Sequence, residues 1–315
     1  MLFWFSASAV SFDYASKRDS TKKRLVQQLQ IQTYEDNLLG YSFDSDDRPF
    51  ADFTVSFRTC IYPFDYLMKL FPEKARQNIH LNLALTARFG QYIGTRYSSP
   101  VIEKRLNPVL FLEYTPKNKY KNMALQLGYG HESNGQAIDD SVTFFKTAAL
   151  LHNDVHQTID KISRGWDYIG TSLLSDYFCV KNPNIVLETD VSLKYYLNYG
   201  ILQGKKEEYH SWETAWSGAD YTRNDVSGIS VSFTCYIDSS LLNKVRINYE
   251  TGIGKPFYAN SIKLLIGFKL GNFPIAFSYR YGYNGDLAQY GKVNQSFGIE
   301  YYLSSYNRPN DRRKQ

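Results

Sequence analysis

Apolar and polar residues alternate along almost the whole chain, and this limits the fold more than any other feature. Ile229, Val231, Phe233, Cys235 and Ile237 are separated by Ser230, Ser232, Thr234 and Tyr236. Ile262, Leu264, Ile266, Phe268 and Leu270 recur against Lys263 and Lys269, and Phe297, Ile299, Tyr301 and Leu303 against Glu300. Phe53, Val55 and Phe57 oppose Thr54, Ser56 and Arg58, and Val191, Leu193, Tyr195 and Leu197 oppose Ser192, Lys194 and Asn198. A period of two puts successive side chains on opposite faces of a strand, so each segment has one apolar and one polar face. A stretch near the middle of the chain recurs instead at helical spacing, and the polar Thr21 to Gln32 reads as a short helix or a disordered arm.

A soluble sandwich and a membrane barrel both alternate in this way. Composition helps to choose between them. Tyr (27) and Phe (20) dominate the aromatics, residues suited to a pleated surface. No apolar run approaches the length of a membrane-spanning helix, which excludes a helical membrane protein but not a barrel whose polar face lines a lumen. The strands are long, nearly all obey the rule, and Tyr279, Tyr281 and Tyr283 fall near strand ends like an aromatic girdle. The pattern therefore predicts an all-β, transmembrane, antiparallel up-and-down β-barrel of about twelve strands, with a long, partly helical loop insertion. The net charge of +5 suits an anionic lipid surface but singles out no partner, and no glycine-rich phosphate loop or nucleic-acid-binding patch stands out.

Three parts are expected: an N-terminal segment (1–36), the barrel (37–303) and a polar basic tail (304–315). Leu2 to Val10 is short and apolar, like the end of a secretory signal, though no basic residue precedes it; a disordered start is the alternative. Lys205 to Asn224 reads as a long outer loop. Cys60, Cys179 and Cys235 are an odd, scattered set, with neither a disulfide framework nor metal spacing, and read as isolated packed thiols.

Read as a strand, Met123 to Ser133 points Met123, Leu125, Leu127, Tyr129, His131 and Ser133 to the apolar side. An imidazole and a hydroxyl on a lipid-facing wall are costly unless they serve something. A serine becomes a nucleophile when a hydrogen-bonded histidine takes its proton, and a third group must hold the other ring nitrogen. By itself a His-x-Ser pair is more often a polar exit from the bilayer.

The stretch around it carries more. His131, Ser133, Asn134 and Gly135 form a His-x-Ser-Asn-Gly block, and Ser163-Arg164-Gly165-Trp166-Asp167 forms a second. Ser98-Ser99-Pro100, Asn107-Pro108 and Tyr281-Gly282-Tyr283-Asn284-Gly285 follow the same order. Together they resemble the outer-membrane phospholipase A family, from about Asn37 to Leu303. The resemblance implies a calcium-dependent enzyme of the bacterial outer membrane that hydrolyses acyl esters of phospholipids and lysophospholipids. It implies Ser133 as nucleophile, His131 as general base and then acid, and Asp167 as the group orienting His131, where the family usually has Asn. The bland alternative for Asp167 is a carboxylate paired with Arg164. The resemblance also implies the Gly135 N–H as oxyanion donor and Asn134 as a supporting residue. It implies Ca2+ held by Gln136 (where the family has Arg), Ser163 and, from a partner subunit, Ser98, so that a homodimer completes the site. The family's dimer-face Gln has no match; Thr86 or Ala87 falls there.

The chain departs from the family by an insertion between Gln136 and Ser163. Phe144, Ala148, Leu151, Val155, Ile159 and Ile162 recur at helical spacing, and Asp140 or Ser141 suits an N-cap. The helix would lie on the membrane surface, cover the site as a lid, or be a passive loop. Asp139 and Asp140 are spare oxygen ligands or caps. His152, His156 and Asp160 share a face of a continuous helix, a weak zinc pattern against a solvated face. Two other functions remain: a catalytically inactive barrel serving as pore or structural protein, and an esterase for another acylated lipid.

Overall fold

The computed structural model describes residues 31–44, 49–61, 72, 78–94, 103–116, 121–152, 154–178, 185–203, 221–237, 239, 241–270, 273–283, 287–288 and 290–303. Twelve strands form one closed antiparallel barrel in which each strand pairs with its sequence neighbours. They are β1 Leu38–Asp44, β2 Pro49–Cys60, β3 Ile79–Tyr92, β4 Glu103–Tyr114, β5 Lys121–Ser133 and β6 Gly165–Phe178, followed by β7 Ile185–Tyr196, β8 Gly228–Ile237, β9 Leu242–Gly252, β10 Asn260–Leu270, β11 Phe273–Gly282 and β12 Asn294–Tyr302. β1 closes on β12, from Leu38 opposite Tyr302 to Asp44 opposite Ser296, so no edge strand is left to pair with another chain.

Alternation becomes the two faces of the wall. Leu83, Leu125, Leu127, Phe233, Phe277 and Phe297 stand exposed on the outside. Ser56, Asn82, Glu113, Gln126, Glu188 and Glu300 are buried inside. An exposed apolar belt around a polar interior is the reverse of a soluble core, and it is what a bilayer selects. The interior charges are paired: Arg58 with Glu113 at 2.7 Å, Lys263 with Glu300 at 2.6 Å and Arg88 with Asp52 at 2.9 Å. The segment before β1 runs into the lumen, where Asp36 meets Lys244 at 3.1 Å and Arg246 at 3.0 Å and Tyr34 packs on Phe111. A polar cavity of 1970 Å³ occupies this part of the lumen.

Toward the end where β5 finishes and β6 begins, the interior is filled instead. Trp166, Tyr168, Tyr196, Val226, Leu287 and Tyr290 cluster there. Gly128 and Gly130 make room for this packing, because a Cβ on the first would meet Phe111 and one on the second the Tyr168 ring. Helix α1 (Ser141–Leu150) and helix α2 (Val155–Ile159) lie in the insertion, and the short helix α3 (Arg223–Val226) precedes β8.

Two expectations change in detail. The inserted helix is not continuous: α1 ends at Leu150, and His152 takes a left-handed backbone. His152, His156 and Asp160 therefore share no helical face, and among the described residues no group of three His, Cys, Asp or Glu side chains could hold a metal ion. Tyr279 and Tyr281 face outward as a girdle requires, but Tyr283 packs on Tyr221 against the inner cluster. Cys60 and Cys235 are free thiols. Ser98, Cys179, most of Lys205 to Asn224, most of Thr21 to Gln32, Leu2 to Val10 and the tail from 304 lie outside the described residues.

Candidate active site

β5 and β6 pair with His131 opposite Asp167, Glu132 opposite Trp166 and Ser133 opposite Gly165. Residues opposite one another share a face. The register thus puts His131, Ser133 and Asp167 together on the outer wall and sends Glu132 and Trp166 inward. His131 Nδ1 lies 2.6 Å from Asp167 Oδ1. Asp167 is fully buried although it faces outward, and the His131 side chain is 17% exposed. The Asp167–Arg164 pairing considered above is not what holds this carboxylate, since its side chain is engaged by His131 and the donors described below.

Ser133 stands one pair further along. A methyl group built on Gly165 would lie 3.5 Å from both His131 Cε1 and Ser133 Cβ, so the two side chains converge over the hydrogen of this glycine. No His131–Ser133 hydrogen bond forms among the described contacts; such bonds are often loose before substrate binds. The row around the wall continues from Ser133 to Leu106 and Ala87, so the hydroxyl is flanked by apolar side chains. Thr86 is buried and shares a hydrogen bond with Ser56, which leaves Ala87, not Thr86, on the outer wall at this level.

Asn134 braces the loop. Its Nδ2 donates to the Ile162 carbonyl at 2.7 Å, and its Oδ1 accepts from the Arg164 N–H at 2.8 Å and the Gln136 N–H at 3.4 Å. The returning segment is held beside it, with Ser163 N–H donating to the Ile138 carbonyl at 2.7 Å and Ile138 bridged to Ile162. Phe144 and Ala148 of α1 are buried, and Phe144 packs with Ile138 and Ile162. Gly135 has φ +55, a left-handed turn that glycine adopts without strain, and no heavy atom crowds its Cβ side. Gln136 and Ser163 thus lie on the two loop segments that the Ile138–Ile162 bridge holds together, both half-buried. They offer only neutral oxygens, which fits a hard cation such as calcium at modest affinity, because affinity rises with ligand charge. Asp140 is committed elsewhere: its carboxylate accepts from the Thr143 N–H and hydroxyl at 2.8 and 2.9 Å, and these bonds hold it below its ordinary pKa.

Several contributors were not visible in the sequence. On the lumen side, Glu132 accepts from Arg223 at 2.9 Å and pairs with Arg105 at 3.1 Å. Arg223 in turn stacks over Trp166, Tyr196 and Tyr290. The residue between His131 and Ser133 is thereby anchored by two arginines, which fixes the strand bearing both. On the outer side, the Tyr129 hydroxyl donates to Asp167 Oδ2. Its place two residues before His131, on the same face, was the available signal. The partners of Asp167 from residues 202 and 203 are backbone amides and left no trace in residue identity.

Fold and site together define a membrane β-barrel whose outer wall carries a histidine–carboxylate pair beside a serine. No family model matches the chain, and no curated protein matches it. Among solved structures, it is similar to the outer membrane phospholipase A from Escherichia coli, at 14% identity and a TM-score of 0.57, covering 88% of this chain and 99% of that one. The Salmonella typhi outer membrane phospholipase, a dimer with bound calcium, gives 15% identity and the same TM-score, covering 88% and 93%. At these identities the likeness is one of fold.

Proposed function

We propose that this chain is a phospholipase of the bacterial outer membrane, hydrolysing acyl esters of phospholipids and lysophospholipids from the lipid side of its barrel. The observation that carries this reading is the 2.6 Å pair of His131 and Asp167 on the outward face, with Ser133 converging on it over Gly165. A lipid lying along the wall presents its ester to that rim, with its acyl chains against the apolar belt.

Asp167 accepts the Nδ1–H of His131, which leaves Nε2 free to take the Ser133 proton as Oγ attacks the ester carbonyl carbon. The Gly135 N–H donates to the developing oxyanion. As the intermediate collapses, the bond to the glycerol oxygen breaks and His131 returns its proton to that oxygen, leaving an acyl-serine. Water, deprotonated by His131, then attacks the acyl-serine; the bond to Ser133 Oγ breaks, His131 returns its proton to that oxygen, and the fatty acid is freed. Calcium would be held by oxygens of Gln136 and Ser163, with Ser98 contributed by a second copy of the chain, and would add positive charge near the oxyanion when bound. The homodimer and the calcium requirement rest on the similarity to the Salmonella dimer and on this donor set.

The test is fatty-acid release from phospholipid by protein folded in detergent micelles, with calcium and with chelator, beside Ser133→Ala. Calcium-dependent release that disappears in the variant supports triad and metal together. Release indifferent to chelator keeps the triad and removes the calcium site. No release from a folded barrel leaves the pore or structural reading. Release only from another acylated lipid replaces the substrate and keeps the chemistry.

A further inference from the structure

We propose, resting on the esterase reading, that the segment Tyr199–Gln203 is a positioning strap for the Asp167 carboxylate, seated on lipid by its apolar side chains. After β7 the chain bends back over the outer wall. The Leu202 and Gln203 N–H groups donate to Asp167 Oδ2 at 2.7 and 3.1 Å. The Tyr129 hydroxyl donates to the same oxygen and itself accepts from the Ile201 N–H at 2.8 Å. Gln203 Oε1 accepts from the Asp167 N–H at 3.0 Å, and Gly200 sits so close that a Cβ there would overlap the Asp167 side chain.

The consequence is geometric. With three donors on Oδ2, the carboxylate cannot rotate, and Oδ1 is left facing His131. A buried carboxylate on a lipid wall would otherwise lack partners, and charge-assisted donors are the strong ones. While its backbone and the Gln203 amide face inward, the strap turns the side chains of Tyr199, Ile201 and Leu202 outward. Tyr199 is 70%, Ile201 86% and Leu202 61% exposed. Ile169 and Tyr195, paired across β6 and β7, are exposed on the same outer wall, and apolar tips of this kind are at rest against the hydrocarbon edge of a bilayer. Lipid contact would thereby hold the strap closed and the carboxylate aimed.

The experiment compares full-length wild type, Tyr129→Phe and Gly200→Ala in phospholipid vesicles, reading kcat, KM and the rate at which Ser133 is labelled by a fluorophosphonate. A parallel Ile201→Trp protein is examined for fluorescence quenching by phospholipids brominated on their acyl chains. Both strap variants should lose about tenfold or more in kcat and in labelling rate, with KM unchanged, and the introduced tryptophan should be quenched beyond the wild-type signal. Wild-type kcat in Tyr129→Phe and Gly200→Ala overturns the positioning role, and an unquenched tryptophan overturns the lipid seat. Should Gly200→Ala fail to fold, Tyr129→Phe decides, because it removes one hydroxyl from an outward ring. A wild type that neither hydrolyses lipid nor takes the fluorophosphonate overturns the esterase reading itself, an outcome distinct from a reactive wild type with indifferent strap variants.

Discussion

At the scale of single residues, Asp167 is one of the positions where this chain departs from the pattern its motifs resemble. An asparagine has one oxygen and one NH2, whereas a carboxylate accepts at both atoms. Here Oδ2 faces the Tyr129 hydroxyl and two backbone N–H groups. In Asp167→Asn those donors would claim the amide oxygen and turn the NH2 toward His131 Nδ1. The ring would then carry its proton on Nε2 and could not take one from Ser133. We expect Asp167→Asn to lower kcat by about a thousandfold or more while the barrel stays folded. Fatty-acid release, with heat-modified gel mobility as the control for folding, measures this.

At the scale of elements, the insertion carries a capped helix, α1, tied to the site by its flanking residues. Asp140 takes an extended backbone and caps α1 through Thr143. Its pKa is lowered, mainly by the bond from the Thr143 N–H, so it is the ionised form that stabilises the folded cap. That contribution is complete above the ordinary aspartate value of about 4 and is lost as pH falls through the lowered folded value. The protection of amides in 141–150, taken relative to their intrinsic exchange rate at each pH, should therefore fall as pH drops below that range. In Asp140→Asn, a cap that does not titrate, it should not change with pH over the same interval. Protection in wild type that ignores pH would remove the charge from the account of this cap.

At the scale of the whole molecule, inside and outside of one strand are coupled. Glu132 points into the lumen between two residues that point out of it, and Arg105 and Arg223 hold it there. Removing one partner of a buried ion cluster leaves uncompensated charge, so Glu132→Ala should cost about 3–5 kcal/mol in urea unfolding and depress activity through the displaced strand. The same cluster fills the site end of the lumen with Trp166, Tyr196, Arg223 and Tyr290. Planar-bilayer recordings of the wild type should accordingly show no steady ion conductance. A stable open channel would favour the pore reading over the enzyme.

The period of two set the two faces and the strand number, because the pleat maps sequence parity directly onto side, while strand length and the placement of Tyr favoured a barrel over a sandwich. It also put His131 and Ser133 on one face, since both lie on the same strand. Asp167 was reached through resemblance, and its pairing opposite His131 is a matter of register, which depends on how two separate strands meet. Tyr283 was misassigned because parity names a side only while the strand lasts, and β11 ends at Gly282. The inserted helix breaks at His152, whose backbone is left-handed, and restarts where Asp154 accepts from the Gln157 N–H at 3.0 Å, which its apolar periodicity did not register. Sequence alone determined which side of the wall each strand residue occupies, as local stereochemistry settles that. Tertiary structure alone decided that backbone amides from the segment after β7 would close over Asp167 and that two arginines would fix Glu132. Those contacts join residues distant in the chain through groups that every residue carries, or through charges whose partners only the closed barrel supplies.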